Sequence, residues 1–324
     1  MLRVVRVDST AIDRFDTGRF EASRTRLASL AYRLLGSATD AEDAVQDAFL
    51  HWQAADRQRL KVPEAWLTKV VTNLCLDRLR SAQARRERAV GAWLPEPLLD
   101  GDALLGPADT FEQRESVSLA VLTLMERLSP LERAVYVLRE AFAYHHAEIA
   151  EILDITESAS QQHLHRARRR ITAARRGGGE ADPASARRIV EEFLAAASSG
   201  RTERLVALLT DDVIAISDGA GGLAEKLLRY DTPQRVAAVV RAGFKPTPAK
   251  RRLAGGTPAI HYALVNGAPA ILFVLGDQVV GAVTFDVAGG KIATVRGISA
   301  PARLVRLTEA WRQHGPDTPL IAQW

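Results

Sequence analysis

The chain has 324 residues, 47% of them hydrophobic and 25% charged, with a net charge of +4. That length supports two or three domains with buried cores, and the single cysteine, Cys75, excludes an intrachain disulfide. No run approaches the ~20 apolar residues of a membrane span, the start lacks the apolar core of a signal peptide, and no Cys/His cluster has zinc spacing. The expectation is a cytoplasmic protein with no membrane contact, no metal and no cofactor.

The basic excess is concentrated. Arg78, Arg80, Arg85, Arg86 and Arg88 form one cluster, and Arg166, Arg168, Arg169, Arg170, Arg175 and Arg176 another. Residues 1–19 read as an N-terminal extension and 20–90 as a helical domain. Leu27, Leu30, Ala31, Leu34 and Leu35 follow helical spacing, and Gly36 ends that helix. Thr39–Glu42 reads as a capping box opening the next, whose buried stripe is Val45, Ala48, Phe49 and Trp52. Its outward residues are Asp40, Glu42, Asp43, Gln46 and Asp47. An acidic face repels phosphates, so it suits a basic protein partner; taken alone, a solvated face is the plainer account.

A helix over about 64–87 packs Leu67, Val70, Val71, Leu74 and Cys75 on one side. Lys69, Asn73, Asp77 and Arg80 fall on another, a mixture in which cations hold phosphates and Asn pairs with base edges. Trp66 suits stacking on an unpaired base, or core packing. Residues 91–116, with Pro95, Pro97, Gly101, Gly106 and Pro107, read as an inter-domain linker.

Residues 117–176 form a second helical domain. Ser129-Pro-Leu-Glu132 is a capping box with proline at the first helical position. Helices over 146–153 and 157–175, separated by a short turn, form a helix-turn-helix. The second offers Ser158, Gln161, Gln162, His165, Arg166 and Arg168 outward. Gln pairs with adenine and Arg with guanine in the major groove, and the arginine-rich end, Arg169 included, suits phosphates. Asp154 occupies the turn and Ser160 a position usually apolar.

A glycine-rich tether (177–183) leads to an α+β domain (184–300) with a curved antiparallel sheet. Strands are expected at 213–217, 260–265, 270–275, 279–287 and 292–298, with Asn266-Gly267 as a hairpin turn. A helix and tail (301–324) close the chain. Polar candidates in this domain are Asp218, Tyr230, His261 and Tyr262, but no acid–base pair with defined spacing fixes them together, so no catalytic residue is assigned. Asp218–Gly222 lacks the Gly-Lys-Ser/Thr of a phosphate loop.

Three phrases in order, DAEDAVQDAF (40–49), AWLTKVVTNLCLDRLR (65–80) and IAEIL (149–153) with LHRAR (164–168), resemble sigma factors of the extracytoplasmic-function type. The resemblance implies two all-α domains, the second with the helix-turn-helix. It implies that Asp40, Glu42, Asp43, Gln46 and Asp47 dock the clamp coiled coil of RNA polymerase core. It implies that Trp66, Lys69, Asn73, Arg78 and Arg80 open and read the −10 element of promoter DNA. Ser158, Ser160, Gln161, Gln162, His165, Arg166, Arg168 and Arg169 would read the −35 element. WLPEPL (93–98) is similar to the linker signature of a subgroup with a fused, cone-shaped SnoaL-like domain. In that subgroup a regulatory intramolecular contact would involve Trp93, Pro95, Glu96, Asp218, Gly219, Gly221 and Gly222. Gly297–Pro301 stands where that subgroup has a further motif. A small-molecule ligand of this domain stays open. The rival readings are a polymerase-independent helix-turn-helix regulator, and a ligand-binding or enzymatic SnoaL-like domain with a DNA-binding accessory region.

Overall fold

A computed structural model describes residues 9–56, 59–86, 94–106, 110–174, 183–219, 227–314 and 318–324. The first three helices are α1 (Ser9–Leu35), α2 (Ala38–Ala54) and α3 (Pro63–Arg86). Helix α1 thus begins inside the segment expected to be an extension. It ends at Gly36, whose φ of 66° suits a residue without Cβ. The cap of α2 differs from expectation: Ser37, not Thr39, accepts from the Asp40 amide. Because Gly36 stops α1, the very next residue must cap α2. Ala38, Ala41, Ala44, Val45, Ala48 and Trp52 are its buried face.

The 94–106 stretch is no loose linker. Leu94, Leu98 and Leu99 are buried in one apolar core that runs from α1 and α2 into the later domains. Gly106, at φ 65°, lies so close to α1 that a Cβ would collide with Ser29. That approach lets the buried Arg33 guanidinium donate to the Leu105 carbonyl (2.7 Å) and to Ser116 Oγ (2.9 Å). Burial lowers the Arg33 pKa to about 10, so it stays charged at neutral pH.

Helices α4 (Phe111–Ser116), α5 (Leu119–Met125), α6 (Pro130–Glu140), α7 (His146–Leu153) and α8 (Glu157–Ala174) follow. The Ser129–Glu132 box caps α6 as its sequence requires. Helix α6 packs on α8, and α7 packs on both α8 and α3. The glycines at 177–179 lie outside the described residues.

The last region holds α9 (Pro183–Ser198), α10 (Thr202–Ala207), β1 (Leu209–Ser217), β2 (Leu228–Asp231), α11 (Pro233–Phe244), α12 (Pro248–Ala254), β3 (Ala259–Val265), β4 (Ala268–Leu275), β5 (Gln278–Ala288), β6 (Lys291–Ile298) and α13 (Val305–His314). The strand order is β2-β1-β6-β5-β4-β3. Contrary to expectation the sheet is mixed: β1 and β6 are parallel. The β3–β6 meander returns its last strand beside β1, and so long a connection permits parallel pairing. One sheet face packs on α9 and α11 through Phe193, Phe244, Phe285 and Trp324. The other, with Ile214, Ile216, Leu272 and Ile298, joins the core of the helical domains. Among the described residues, no helix is long and apolar enough to cross a membrane.

Candidate nucleic-acid interface

The helix-turn-helix is set by α7 and α8. Asp154 takes the left-handed conformation at the end of α7 (φ 53°, ψ 46°), the turn geometry that glycine more often supplies. Ser158, Gln161, Gln162, His165, Arg166, Arg168 and Arg169 are exposed on α8. Ser160 is the correction: it is fully buried, and its Oγ lies 2.8 Å from His146 Nδ1. It fastens α8 to α7 and offers no atom to a base. Three of the exposed arginines are held by α6. Glu132 accepts from Arg166 (3.1 Å) and Arg170 (2.6 Å), and Glu140 from Arg168 (2.7 Å). Burial raises the Glu132 pKa, but bonds from Ser129 and the charges of Arg170 and Arg166 outweigh it, so the net shift is downward.

On α3, Trp66 is half-buried, with its ring 5.9 Å from that of Trp52. Asn73 is half-buried and Arg80 is exposed beside Asp77 (3.1 Å). Lys69 is not free. Its Nζ donates to Asp154 (2.6 Å) and to the Glu151 carbonyl (2.9 Å), at the turn between α7 and α8. Arg26 reinforces this meeting by bonding the Tyr144 hydroxyl, which also lies 3.2 Å from Thr68 Oγ1. Helix α3 is thus fastened to α7 and the turn before α8, while the outward residues of α8 stay exposed.

Asp40, Glu42, Asp43 and Gln46 are exposed on α2, and Asp47 is half-buried. Two of these acids meet cations of the same chain. Arg78 binds Asp47 (2.6 Å) and the Asp40 carbonyl (2.6 Å), so in the free chain this cation is engaged by α2. Arg306 on α13 pairs with Glu42 and with Asp102 (2.7 Å).

Within WLPEPL, Trp93 lies outside the described residues and Pro95 is buried. Glu96 completes the α2 cap. Its carboxylate accepts from Ser37 Oγ (2.8 Å) and the Ala38 amide (2.8 Å), and its carbonyl accepts from the Tyr32 hydroxyl (2.8 Å). Asp218 accepts from the Ser299 amide (3.0 Å), Ser299 Oγ (2.8 Å) and the Ala300 amide (2.9 Å). This pins the exit from β6, after which Arg303 reaches the Leu94 carbonyl. Gly219 is buried; Gly221 and Gly222 lie outside the described residues.

The residue that sequence reading missed is Asn266. At φ 51°, followed by Gly267 at φ 75°, it forms the expected hairpin turn. Its side chain, 1% exposed, enters the junction of the helical domains. Oδ1 accepts from the Leu98 amide (2.8 Å), and Nδ2 donates to the Tyr32 hydroxyl (2.8 Å) and the Val117 carbonyl (2.8 Å). The Asn266 amide donates to the Leu98 carbonyl (2.9 Å). An Asn-Gly pair signals a turn and carries no hint of these partners.

The four polar candidates of the third domain do not converge. His261 sits edge-on to Trp311 at 4.9 Å, whereas Tyr262, its neighbour on β3, points to the opposite face beneath Arg187 (5.1 Å). Tyr230 packs against the α9–α11 core, and Asp218 is engaged at the β6 exit.

Residues 19–85 match Sigma-70 region 2, and residues 118–171 match Sigma-70 region 4. The structure is similar to the crystal structure of the Mycobacterium tuberculosis extracytoplasmic function sigma factor SigJ, with a TM-score of 0.67 and 30% identity, covering 89% of this chain and 97% of that one. The chain belongs to the extracytoplasmic-function RNA polymerase sigma factors. In sequence, this sigma factor is 41% identical to SigJ of M. tuberculosis H37Rv over 206 residues, 64% of this chain and 66% of SigJ. It is 40% identical to a probable sigma factor SigI of the same organism over 157 residues, 47% of this chain and 52% of SigI. The match thus spans about two thirds of one relative and half of the other. The likeness to the SigJ crystal structure extends past the two sigma regions into the sheet-containing domain, because it covers 89% of the chain.

Proposed function

We propose that this sigma factor recruits RNA polymerase core to promoters, with α3 opening the −10 element, α8 reading the −35 element and α2 docking the polymerase clamp. We further propose that the third domain holds the factor closed. The single observation that carries this reading is the buried Asn266 side chain, which bonds Leu98, Tyr32 and Val117 at the junction of the domains; beside it, Lys69 on α3 pairs with Asp154 at the turn before α8. The pair fixes α3 against the helix-turn-helix, so the two DNA-reading helices cannot adjust to promoter spacing until it parts. Asn266, Arg303 and Arg306 tie the third domain to α1, to the 94–102 stretch and to the acidic face of α2. Asp43 stays exposed there and gives an encounter point for a cationic partner.

The test is promoter-specific transcription with core polymerase. Full-length chain and a chain cut after Arg176 are compared on promoters altered at either element. Transcripts should depend on both elements, and charge reversal of Asp43 together with Asp40 should abolish retention of core. Absence of promoter-specific transcripts from either form would remove the sigma reading. Equal activity of the two forms would remove the regulatory part alone.

A further inference from the structure

From Thr232 to Gly276 the chain carries no Asp or Glu, yet it carries Arg235, Arg241, Lys245, Lys250, Arg251 and Arg252. Arg235 is paired with Asp231 (3.4 Å). The other five lie on α11 and α12 and the turn between them. Helix α12 is unusual in that none of its residues is buried, and Leu253 is 61% exposed. Hydrophobic packing therefore does not explain why this helix is placed where it is.

Two of its cations do. Lys250 Nζ donates to the carbonyls of Ala242, Gly243 (2.8 Å) and Lys245 (2.9 Å), which satisfies the free carbonyl end of α11. Arg251 Nε donates to the Trp324 carbonyl (3.2 Å). These bonds brace α12 against α11 and leave Arg241, Lys245 and Arg252 exposed on the two helices and the turn between them. Burial, and then the nearby Lys245 charge, lower the Lys250 pKa, as expected where positive charge is left uncompensated.

Position supplies the partner. Helix α8 ends at Ala174 and α9 begins at Pro183. Even fully extended, the chain between them spans at most about 30 Å. Whenever α8 lies in a major groove, the third domain is held beside that duplex at a local concentration on the millimolar scale. Exposed cations tethered within this reach of a polyanion meet phosphates.

We infer that Arg241, Lys245 and Arg252 contact the phosphate backbone of duplex DNA flanking the −35 element, a third and sequence-independent DNA contact. This rests on the reading of α8 given above, and the experiment separates the two. Binding of the full-length chain to a promoter duplex and to a scrambled duplex is followed by fluorescence anisotropy over a salt series. Each phosphate contact contributes about 0.9 to the slope of log K against log salt. The triple variant Arg241→Ser, Lys245→Ser, Arg252→Ser should lose about 2.7 of that slope on both duplexes, and Arg252→Ser alone about 0.9. The charge-conserving pair Arg241→Lys, Arg252→Lys should keep it. Gln161→Ala with Gln162→Ala should instead lose the preference for the promoter duplex and leave the slope unchanged. An unchanged slope in both the triple and single variants overturns the contact. So does a triple variant that binds DNA normally but loses core polymerase, which would assign the corner to an acidic protein surface.

Discussion

Asn266→Gly is the sharpest perturbation of the closed arrangement. Glycine accepts the φ of 51° that Asn266 adopts, so the β3–β4 turn and the Asn266 backbone bond to Leu98 survive. What disappears is the side chain, and with it three hydrogen bonds of 2.8 Å, to the Leu98 amide, the Tyr32 hydroxyl and the Val117 carbonyl. The three losses are unequal. Tyr32 still donates to the Glu96 carbonyl, whereas the Leu98 amide and the Val117 carbonyl lose this partner inside a buried junction. A buried polar group left unpaired costs ~1–3 kcal/mol, so the two orphaned groups weaken docking by roughly 2–6 kcal/mol. At 1.4 kcal/mol per tenfold, that shifts the closed–open balance by about 30-fold to about 20,000-fold. Hydrogen exchange at the Asp100 amide, which donates to the Leu264 carbonyl across the same junction and keeps that partner in the variant, measures the shift. The distance between labels on Glu64 of α3 and Thr172 of α8, both exposed, reports separation of the two domains. Transcription by core polymerase should rise. Unchanged Asp100 exchange together with an unchanged label distance would refute the claim that this side chain holds the domains together.

Three further outcomes follow from single contacts. Glu96→Ala removes the carboxylate that completes the α2 cap, and should cost about 1–2 kcal/mol in denaturant unfolding. Glu132 has a folded pKa below its ordinary value, so its contribution is present at neutral pH and lost as pH falls below about 4.3; Glu132→Gln should flatten that acid limb of the stability curve. Burial pushes the Cys75 thiol up to about 12, so the native protein should resist alkylation at pH 8, and rapid modification without unfolding would contradict its burial.

Much of the helical part is legible because its signals are local. Periodicity places α2, α3, α7 and α8, and the Ser129–Glu132 box fixes the start of α6. The misreadings have one physical origin, which is dependence on distant partners. Thr39 and Glu42 have capping-box spacing, but the α2 cap is built by Ser37 and by Glu96, 58 residues away. Ser160 looks like a base-contacting polar residue until His146 is packed against it. Arg78 looks like a phosphate ligand until α3 and α2 bring it to Asp47. The Asn266 side chain bonds groups 234, 168 and 149 residues away. No window of sequence contains such a triangle. The parallel β1–β6 pairing is invisible for the same reason, since it joins the first strand of the sheet to the last.

In the closed form proposed above, the contacts between domains fall into two physical classes, and they should respond differently to salt. Lys69–Asp154 and Arg306–Glu42 are exposed or half-exposed ion pairs. Such pairs are worth ~0–1 kcal/mol each, and phosphates or a polymerase cation readily replace them. The Asn266 side chain and Arg33 are buried, with neutral or charge-assisted bonds that salt screens little. The exposed pairs therefore cover the functional faces, while the buried bonds set the arrangement. Raising salt to about 0.5 M, where the Debye length is only a few ångströms, should leave the Glu64–Thr172 label distance of the native chain unchanged. The same salt applied to Asn266→Gly should open it further, because only the ion pairs then oppose separation. Opening of the native chain by salt alone would mean that the exposed pairs carry the closure, and the signal that activates the factor would then act at α3 and α7 rather than at the β3–β4 turn.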